Sequence, residues 1–138
     1  MKFKNIFGRD VSKNINKYLI DWNKPCKSKA QFNLKKIVEP FWRYHVVVEE
    51  FPVFGSRMRC DLINFTKKIA IETHGMQHDK FVKHFHKTRS GFKNSIKRDL
   101  AKFKWLELNN FKVIEIFENE IHLASREWIL DKFGIDII

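Results

Sequence analysis

Two acids and a histidine fall on neighbouring predicted strands of this chain. Glu72 and His74 are two residues apart in the run IAIETH, and alternation along a strand places both side chains on one face of a sheet. Asp61 lies on the preceding predicted strand and approaches Glu72 if the two strands form an antiparallel hairpin. Two carboxylates that close are costly unless a cation such as Mg²⁺ lies between them. The imidazole of His74 could then accept a proton from a water bound to that metal.

Each of these residues also has an ordinary structural role when it is considered alone. A single acid on a strand is commonly an edge or salt-bridge residue, and a single histidine is commonly structural. The combination favours chemistry, because a strand face that carries Ala70, Glu72 and His74 is an unusual one to bury without a purpose.

The charge of the chain favours a polyanionic partner. Its 138 residues include 27 Lys and Arg against 16 Asp and Glu, for a net charge of +11. Residues 80–104 alone contain nine basic side chains and one acid. Like charges at this density repel one another unless an anion binds, and each phosphate that they neutralise releases counterions. A metal and a base beside a basic helix indicate hydrolysis of phosphodiesters. The candidate DNA contacts on that helix are Lys93, Lys97, Arg98 and Lys102, and Gln31 on the first predicted helix is a further one.

The elements that must position these residues follow the order helix, three strands, helix, strand, helix. This order predicts an α/β fold with a central mixed β-sheet of about four strands flanked by helices. Ser28 is a candidate N-cap for a first helix, which Pro40 should end. The predicted helices span 29–39, 92–109 and about 119–132, and the predicted strands span 44–50, 59–65, 69–73 and 111–117.

The length predicts a single domain over residues 1–138. Residues 1–27 are predicted to form an arm or a short helix, 28–117 the core and 118–138 a C-terminal helix. The two cysteines cannot form a disulfide framework. Neither a membrane-spanning apolar run nor a secretory signal is apparent, which predicts a cytoplasmic protein.

The spacing Asp61…Glu72-Thr73-His74 resembles the PD-(D/E)XK nuclease superfamily, with histidine at the usual place of lysine. The run IETHGMQHD is more similar to the very-short-patch-repair branch, and to the EDxHD motif of phage homing endonucleases and their free-standing relatives. In that motif Asp61 is the first D, Thr73 the x, His74 the H and Asp79 the last D. The resemblance covers residues 28–117 and includes the pair Arg98-Asp99.

The resemblance implies a restriction-endonuclease-like core that cleaves double-stranded DNA with Mg²⁺ or Mn²⁺, in the bacterial host cell if a phage encodes the chain. Asp61 and the carbonyl of Thr73 would bind the metal, with Glu72 as a second ligand. The remaining implied roles are a base at His74, assistance to the leaving group from His78 or Asp79, and a clamp on the scissile phosphate at Arg98.

The first acid of the EDxHD motif is missing from this chain. The family places it on the helix before the strands, where this sequence has Gln31. An amide can orient a water or a phosphate but cannot act as a general base. The missing carboxylate would come from Glu49 or Glu50, unless the site works without it.

Two other functions are compatible with the same residues. A non-catalytic DNA- or RNA-binding module would use the basic charge equally well, although carboxylates near phosphates would repel them. A mismatch-repair nicking enzyme would share the chemistry but cut one strand. A homodimer could cut both strands, and the sequence leaves this choice open.

Overall fold

The computed structural model describes residues 1–26, 28–75 and 100–138. Four strands form one mixed sheet: β3 (Val47–Pro52), β4 (Arg59–Asn64), β5 (Ile69–His74) and β6 (Lys112–Phe117). Their order in the sheet is β3-β4-β5-β6, with antiparallel pairs β3–β4 and β4–β5 and a parallel pair β5–β6. This arrangement confirms the expected α/β class with a four-stranded mixed sheet.

Helices and a small hairpin cover the two faces of this sheet. The other elements are β1 (Lys2–Lys4), β2 (Asp10–Ser12), α1 (Lys29–Trp42), α2 (helical at 100–108) and α3 (Arg126–Phe133). None of the helices within the described part of the chain is long and apolar enough to cross a membrane.

The sheet separates two hydrophobic cores. The first core lies against α1 and α3 and includes Leu34, Ile71 and Ile129. The second core lies against α2 and the β1–β2 hairpin and includes Phe3 and Trp105. Burial on both faces explains why the central strands are nearly continuous apolar runs.

Strand β5 shows how the alternation reaches the candidate residues. Ile69 and Ile71 pack in the first core, whereas Ala70 packs in the second. Glu72 and His74 share the parity of Ala70, so they lie on the second face of the sheet, as the alternation predicted.

Helix α1 starts where the sequence predicted but ends later. The side chain of Ser28 accepts a hydrogen bond from the backbone N–H of Gln31 and caps the helix. The predicted end at Pro40 is wrong, because the helix continues to Trp42. Trp42 is fully buried, and its Nε1 donates to the carbonyl of Ile137 at 2.8 Å. Burial of this indole outweighs the one hydrogen bond that the proline removes in the last turn.

The N-terminal segment is neither an arm nor a short α-helix. It forms the antiparallel β1–β2 hairpin, followed by a 3₁₀ turn at Asn16–Tyr18. Phe3 anchors the hairpin by packing against the rings of Phe51, Phe54 and Phe65, with centroids 5.4 to 5.6 Å away. Burial of one aromatic side chain therefore fixes a segment whose composition is otherwise polar.

Two other predicted elements differ clearly from the structure, and a third is described only in part. The first sheet strand begins at Val47 rather than residue 44, because the backbone N–H of His45 closes a turn on the carbonyl of Trp42. The predicted helix 119–132 is divided into a 3₁₀ turn at Ile121–Leu123 and α3, which Ser125 caps. Of the predicted helix 92–109, residues 92–99 lie outside the described residues.

Candidate functional site

The Asp61 and Glu72 carboxylates meet at one end of the two central strands of the sheet, where β4 begins and β5 ends. The β4–β5 ladder pairs Leu62 with Ile71, and the next pair in that register is Asp61 with Glu72. The backbone N–H of Asp61 donates to Oε2 of Glu72 at 3.3 Å. The predicted approach of these two acids is therefore present in the structure.

Thr73 fixes the orientation of the Asp61 carboxylate. Its backbone N–H and its hydroxyl both donate to Oδ2 of Asp61, at 2.8 and 2.9 Å. Hydrogen bonds to a carboxylate are charge-assisted and stronger than neutral ones. The Asp61 carboxylate is thus held by its neighbours before any ligand binds.

A distortion of the β3–β4 ladder lies opposite Asp61. Glu50 has a φ of 51°, a left-handed conformation that side chains other than glycine rarely adopt. As a result, Val48 and Phe51 both pack in the second core although they are three residues apart. Opposite Glu50, the backbone N–H of Asp61 bonds the Glu72 side chain.

Glu72 carries the strongest electrostatic perturbation of the site. Only 3% of the residue is exposed, and burial raises the pKa of its carboxyl to about 8, with a further increase from the negative charge of Asp61. The Lys102 ammonium lies 3.6 Å from Oε1 of Glu72 and lowers that pKa. Among the described residues, no hydrogen bond reaches the buried Oε1. At neutral pH and without a bound cation, the Glu72 carboxyl therefore keeps its proton.

His74 lies next to a carboxylate of the neighbouring parallel strand. Its Nε2 lies 3.6 Å from Oε1 of Glu115, and its ring centroid lies 5.5 Å from that of Phe117. The β5–β6 register pairs Glu72 with Glu115, so a third acid borders the site. Sequence reasoning missed Glu115, although alternation in FKVIEIF could have placed it on the face opposite Ile114 and Ile116.

Lys102 points to the site rather than to solvent alone. The sequence grouped it with the residues that contact DNA, yet its side chain is 19% exposed and paired with Glu72. Lys93, Lys97 and Arg98, from the same predicted group, lie outside the described residues.

Gln31 and the two candidate acids of β3 have separate roles. Gln31 is buried on α1, and its Nε2 donates to the carbonyl of Asp61 at 3.4 Å. Glu49 instead pairs with Lys35, whose Nζ lies 3.1 Å from both of its carboxylate oxygens. Within the described ranges, no hydrogen bond or ion pair joins Glu49 or Glu50 to Asp61 or Glu72.

Lys35 is a structural residue that the sequence did not reveal. It is fully buried, and its ammonium also donates to the carbonyls of Asp21 at 2.7 Å and Lys24 at 3.0 Å. It therefore ties the segment before α1 to β3. The available signal was a lysine next to Leu34 on the apolar face of the helix.

The carboxylate oxygens at this end of the sheet suit a hard cation. The site offers two carboxylates, one of which has a buried oxygen without a hydrogen bond, and oxygen ligands are those that Mg²⁺ and Mn²⁺ prefer. Residues 1–26, 28–75 and 100–138 contain no group of three His, Cys, Asp or Glu arranged to hold a metal. The predicted site residues His78 and Asp79 fall outside these ranges. Within the described residues, further ligands would be the Thr73 carbonyl, together with water or phosphate.

Comparison with known proteins gives little information about function. No family model matches the chain. A curated relative, "Uncharacterized protein 307L" of Invertebrate iridescent virus 6, is 41% identical over 49 residues. That match covers 36% of this chain, and the chain spans about a quarter of the length of the relative. No solved structure matches.

Proposed function

We propose that this protein is a divalent-metal-dependent endonuclease that hydrolyses phosphodiester bonds of double-stranded DNA on a restriction-endonuclease-like core. One observation carries the proposal: Asp61 and the buried Glu72 are held together at one end of the two central strands. Among the described residues, Oε1 of Glu72 has no hydrogen bond. A carboxylate pair of this kind is stable when it shares a cation. The net charge of +11 supplies the attraction to a polyanion.

The chain's own residues have distinct roles in this proposal. Asp61 and Glu72 would hold the cation, with the Thr73 hydroxyl and amide keeping Asp61 in place. When bound, a divalent cation stabilises the charge on phosphate oxygens and makes water more acidic. Lys102 partly balances the charge of the Glu72 carboxylate and would face the incoming phosphate.

His74 is the proposed general base. It would take a proton from the attacking water at one ring nitrogen, and the Glu115 carboxylate 3.6 Å from Nε2 would attract the positive charge that the ring gains. The roles of His78 or Asp79 at the leaving group, and of Arg98 at the phosphate, rest on the resemblance to the EDxHD nucleases.

A DNA-binding module without catalysis would use the same basic charge. The carboxylate pair argues against this alternative, because acids beside a phosphate weaken binding unless a cation intervenes. Loss of both acids should therefore strengthen DNA binding by a pure binder and abolish cleavage by a nuclease.

The test is cleavage of long DNA of mixed sequence, so that a rare target site is present, together with supercoiled plasmid. The reactions contain Mg²⁺, Mn²⁺ or EDTA and compare the wild-type protein with Asp61→Asn. Glu107→Gln, at an exposed acid of α2, is the matched control. We expect metal-dependent cleavage that Asp61→Asn abolishes and the control retains. Nicked circles would indicate single-strand cutting, and linear product would indicate paired action on both strands.

Tight DNA binding without cleavage in either metal would contradict the proposal. Cleavage that persists unchanged in Asp61→Asn would contradict the assignment of the site.

A further inference from the structure

A single aromatic side chain projects from the tip of the N-terminal hairpin. Phe7 is 73% exposed, whereas Phe3, on the same hairpin, is 5% exposed. The phenyl ring of Phe7 therefore forgoes the free energy that burial would supply, and it is accessible to a binding partner.

The turn that carries Phe7 is closed by several hydrogen bonds. The side-chain oxygen of Asn5 accepts from the backbone N–H groups of Phe7 and Arg9, at 2.9 and 3.0 Å. The backbone N–H of Asn5 donates to the carbonyl of Arg9 at 2.8 Å. Gly8 supplies the positive φ of 80° that the turn requires. Phe7 is therefore presented by an internally bonded turn.

The hairpin is also bound to the helix that borders the candidate site. Trp105 Nε1 and Asn109 Nδ2 donate to the carbonyl of Lys4 at 2.6 and 3.1 Å, and the backbone N–H of Lys4 donates to Asn109. Lys102 lies one turn before Trp105 on the same stripe of α2. Asn109 and Lys102 are thus separated by about 10 Å along the helix axis.

A second contact places the tip at the same end of the sheet as Asp61. The backbone N–H of Ile6 donates to the carbonyl of Phe54 at 2.9 Å, in the turn between β3 and β4. A Cβ on Gly55 would lie 3.0 Å from Cγ1 of Ile6, so this turn and the hairpin are closely packed. The β3–β4 turn and the last residues of β5 lie at the same end of the sheet, because β3 and β5 run in the same direction.

The surroundings of the tip are basic. Residues 1–18 contain five basic side chains and one acid, Asp10, which is paired with Lys4 at 2.7 Å. The Lys13 ammonium lies 6.0 Å from the ring centroid of Phe54, next to the turn that supports the tip. The exposed basic residues of the hairpin and this turn are Lys2, Arg9, Lys13 and Arg57. An exposed ring among cations matches a polyanion with stacked aromatic bases.

We infer that Phe7 is a wedge that inserts between base pairs of duplex DNA, with the basic hairpin holding the phosphates on either side. The inference rests on the proposed function for its choice of DNA as partner. Apolar wedges of this size unstack a base step and bend the duplex. Bending at the hairpin would bring the adjacent backbone toward Asp61 and Glu72.

The experiment measures DNA binding and unwinding in EDTA, so it does not depend on cleavage. Affinity is measured by fluorescence anisotropy on a mixed-sequence duplex. Unwinding is measured by relaxing a closed circular plasmid in the presence of protein with a type IB topoisomerase, which needs no divalent cation. The variants are Phe7→Ala, Phe7→Trp and Tyr44→Ala. Tyr44 is 94% exposed at the turn after α1 and serves as the matched control.

We expect wild type, Phe7→Trp and Tyr44→Ala to change the linking number of the relaxed plasmid, and Phe7→Ala to lose this change. Loss of one base–aromatic contact should weaken binding by Phe7→Ala about tenfold. Equal affinity and unwinding for Phe7→Ala and wild type would overturn the wedge, as would a wild-type protein that binds without unwinding. Failure of the proposed function would appear separately, as absence of Mg²⁺-dependent cleavage.

Discussion

The pH dependence of folding stability gives a direct test of the buried Glu72 carboxyl. Its pKa is raised from 4.5 to about 8, so between these pH values the folded chain keeps a proton that the unfolded chain has lost. The folded state then binds more protons, and the free energy of unfolding decreases as pH rises through this range. The stabilisation is fully present below pH 4.5 and is lost by about pH 8.

The magnitude follows from the two pKa values. Each pH unit between them contributes about 1.4 kcal/mol, so the loss of stability across the range reaches about 5 kcal/mol. A glutamine cannot ionise and has nearly the same shape. Glu72→Gln should therefore lack this term, becoming more stable relative to wild type as pH rises.

The assay is chemical denaturation of wild type, Glu72→Gln and Glu107→Gln at pH 5, 6.5 and 8, all in EDTA. The difference between wild type and Glu72→Gln should change by several kcal/mol over this range, of the order set by linkage. Glu107 is exposed, so its variant should follow wild type at every pH. A difference between wild type and Glu72→Gln that stays constant with pH would refute the reasoning.

A divalent cation should reverse this loss. Because the cation competes with the proton on Glu72, Mg²⁺ should stabilise wild type more at pH 8 than at pH 6. At a concentration tenfold above its dissociation constant, the added stability would be about 1.4 kcal/mol. Glu72→Gln should show little of this effect at either pH.

Three other substitutions have defined consequences. Lys102→Met removes the ammonium that lowers the pKa of Glu72, so the stability loss should extend above pH 8 in the same denaturation series. Thr73→Val removes the hydroxyl bond to Asp61 and should lower the free energy of unfolding by about 1 kcal/mol while weakening Mn²⁺ binding measured by titration. Lys35→Met leaves its carboxylate partner unpaired and should lower the free energy of unfolding by about 3 to 5 kcal/mol; a loss below 1 kcal/mol would show that this ion pair contributes little.

Local patterns predicted the sheet and the carboxylate pair. Alternation in IAIETH indicated which side chains share a face, and the short connection to the preceding strand indicated an antiparallel hairpin. Both are properties of adjacent segments. The start of α1 was equally local, because Ser28 caps the helix with its own side chain.

Features that depend on distant contacts were not predictable in this way. A lysine on a helix is normally exposed, and only the docking of α1 on β3 makes Lys35 a buried partner of Glu49. Lys102 faces Glu72 because α2 packs on the second face of the sheet. The three-residue strands of the N-terminal hairpin are too short to show a period, and Phe3 holds them through contacts with residues about fifty positions away.

The central claim is that Asp61 and Glu72 hold one divalent cation. The most direct measurement is Mn²⁺ binding at pH 8 followed by electron paramagnetic resonance, comparing wild type with Asp61→Asn, Glu72→Gln and the control Glu107→Gln. We predict one tight site in wild type and in the control, with affinity reduced by about tenfold or more in each site variant. Equal Mn²⁺ affinity in wild type and both site variants would contradict the claim.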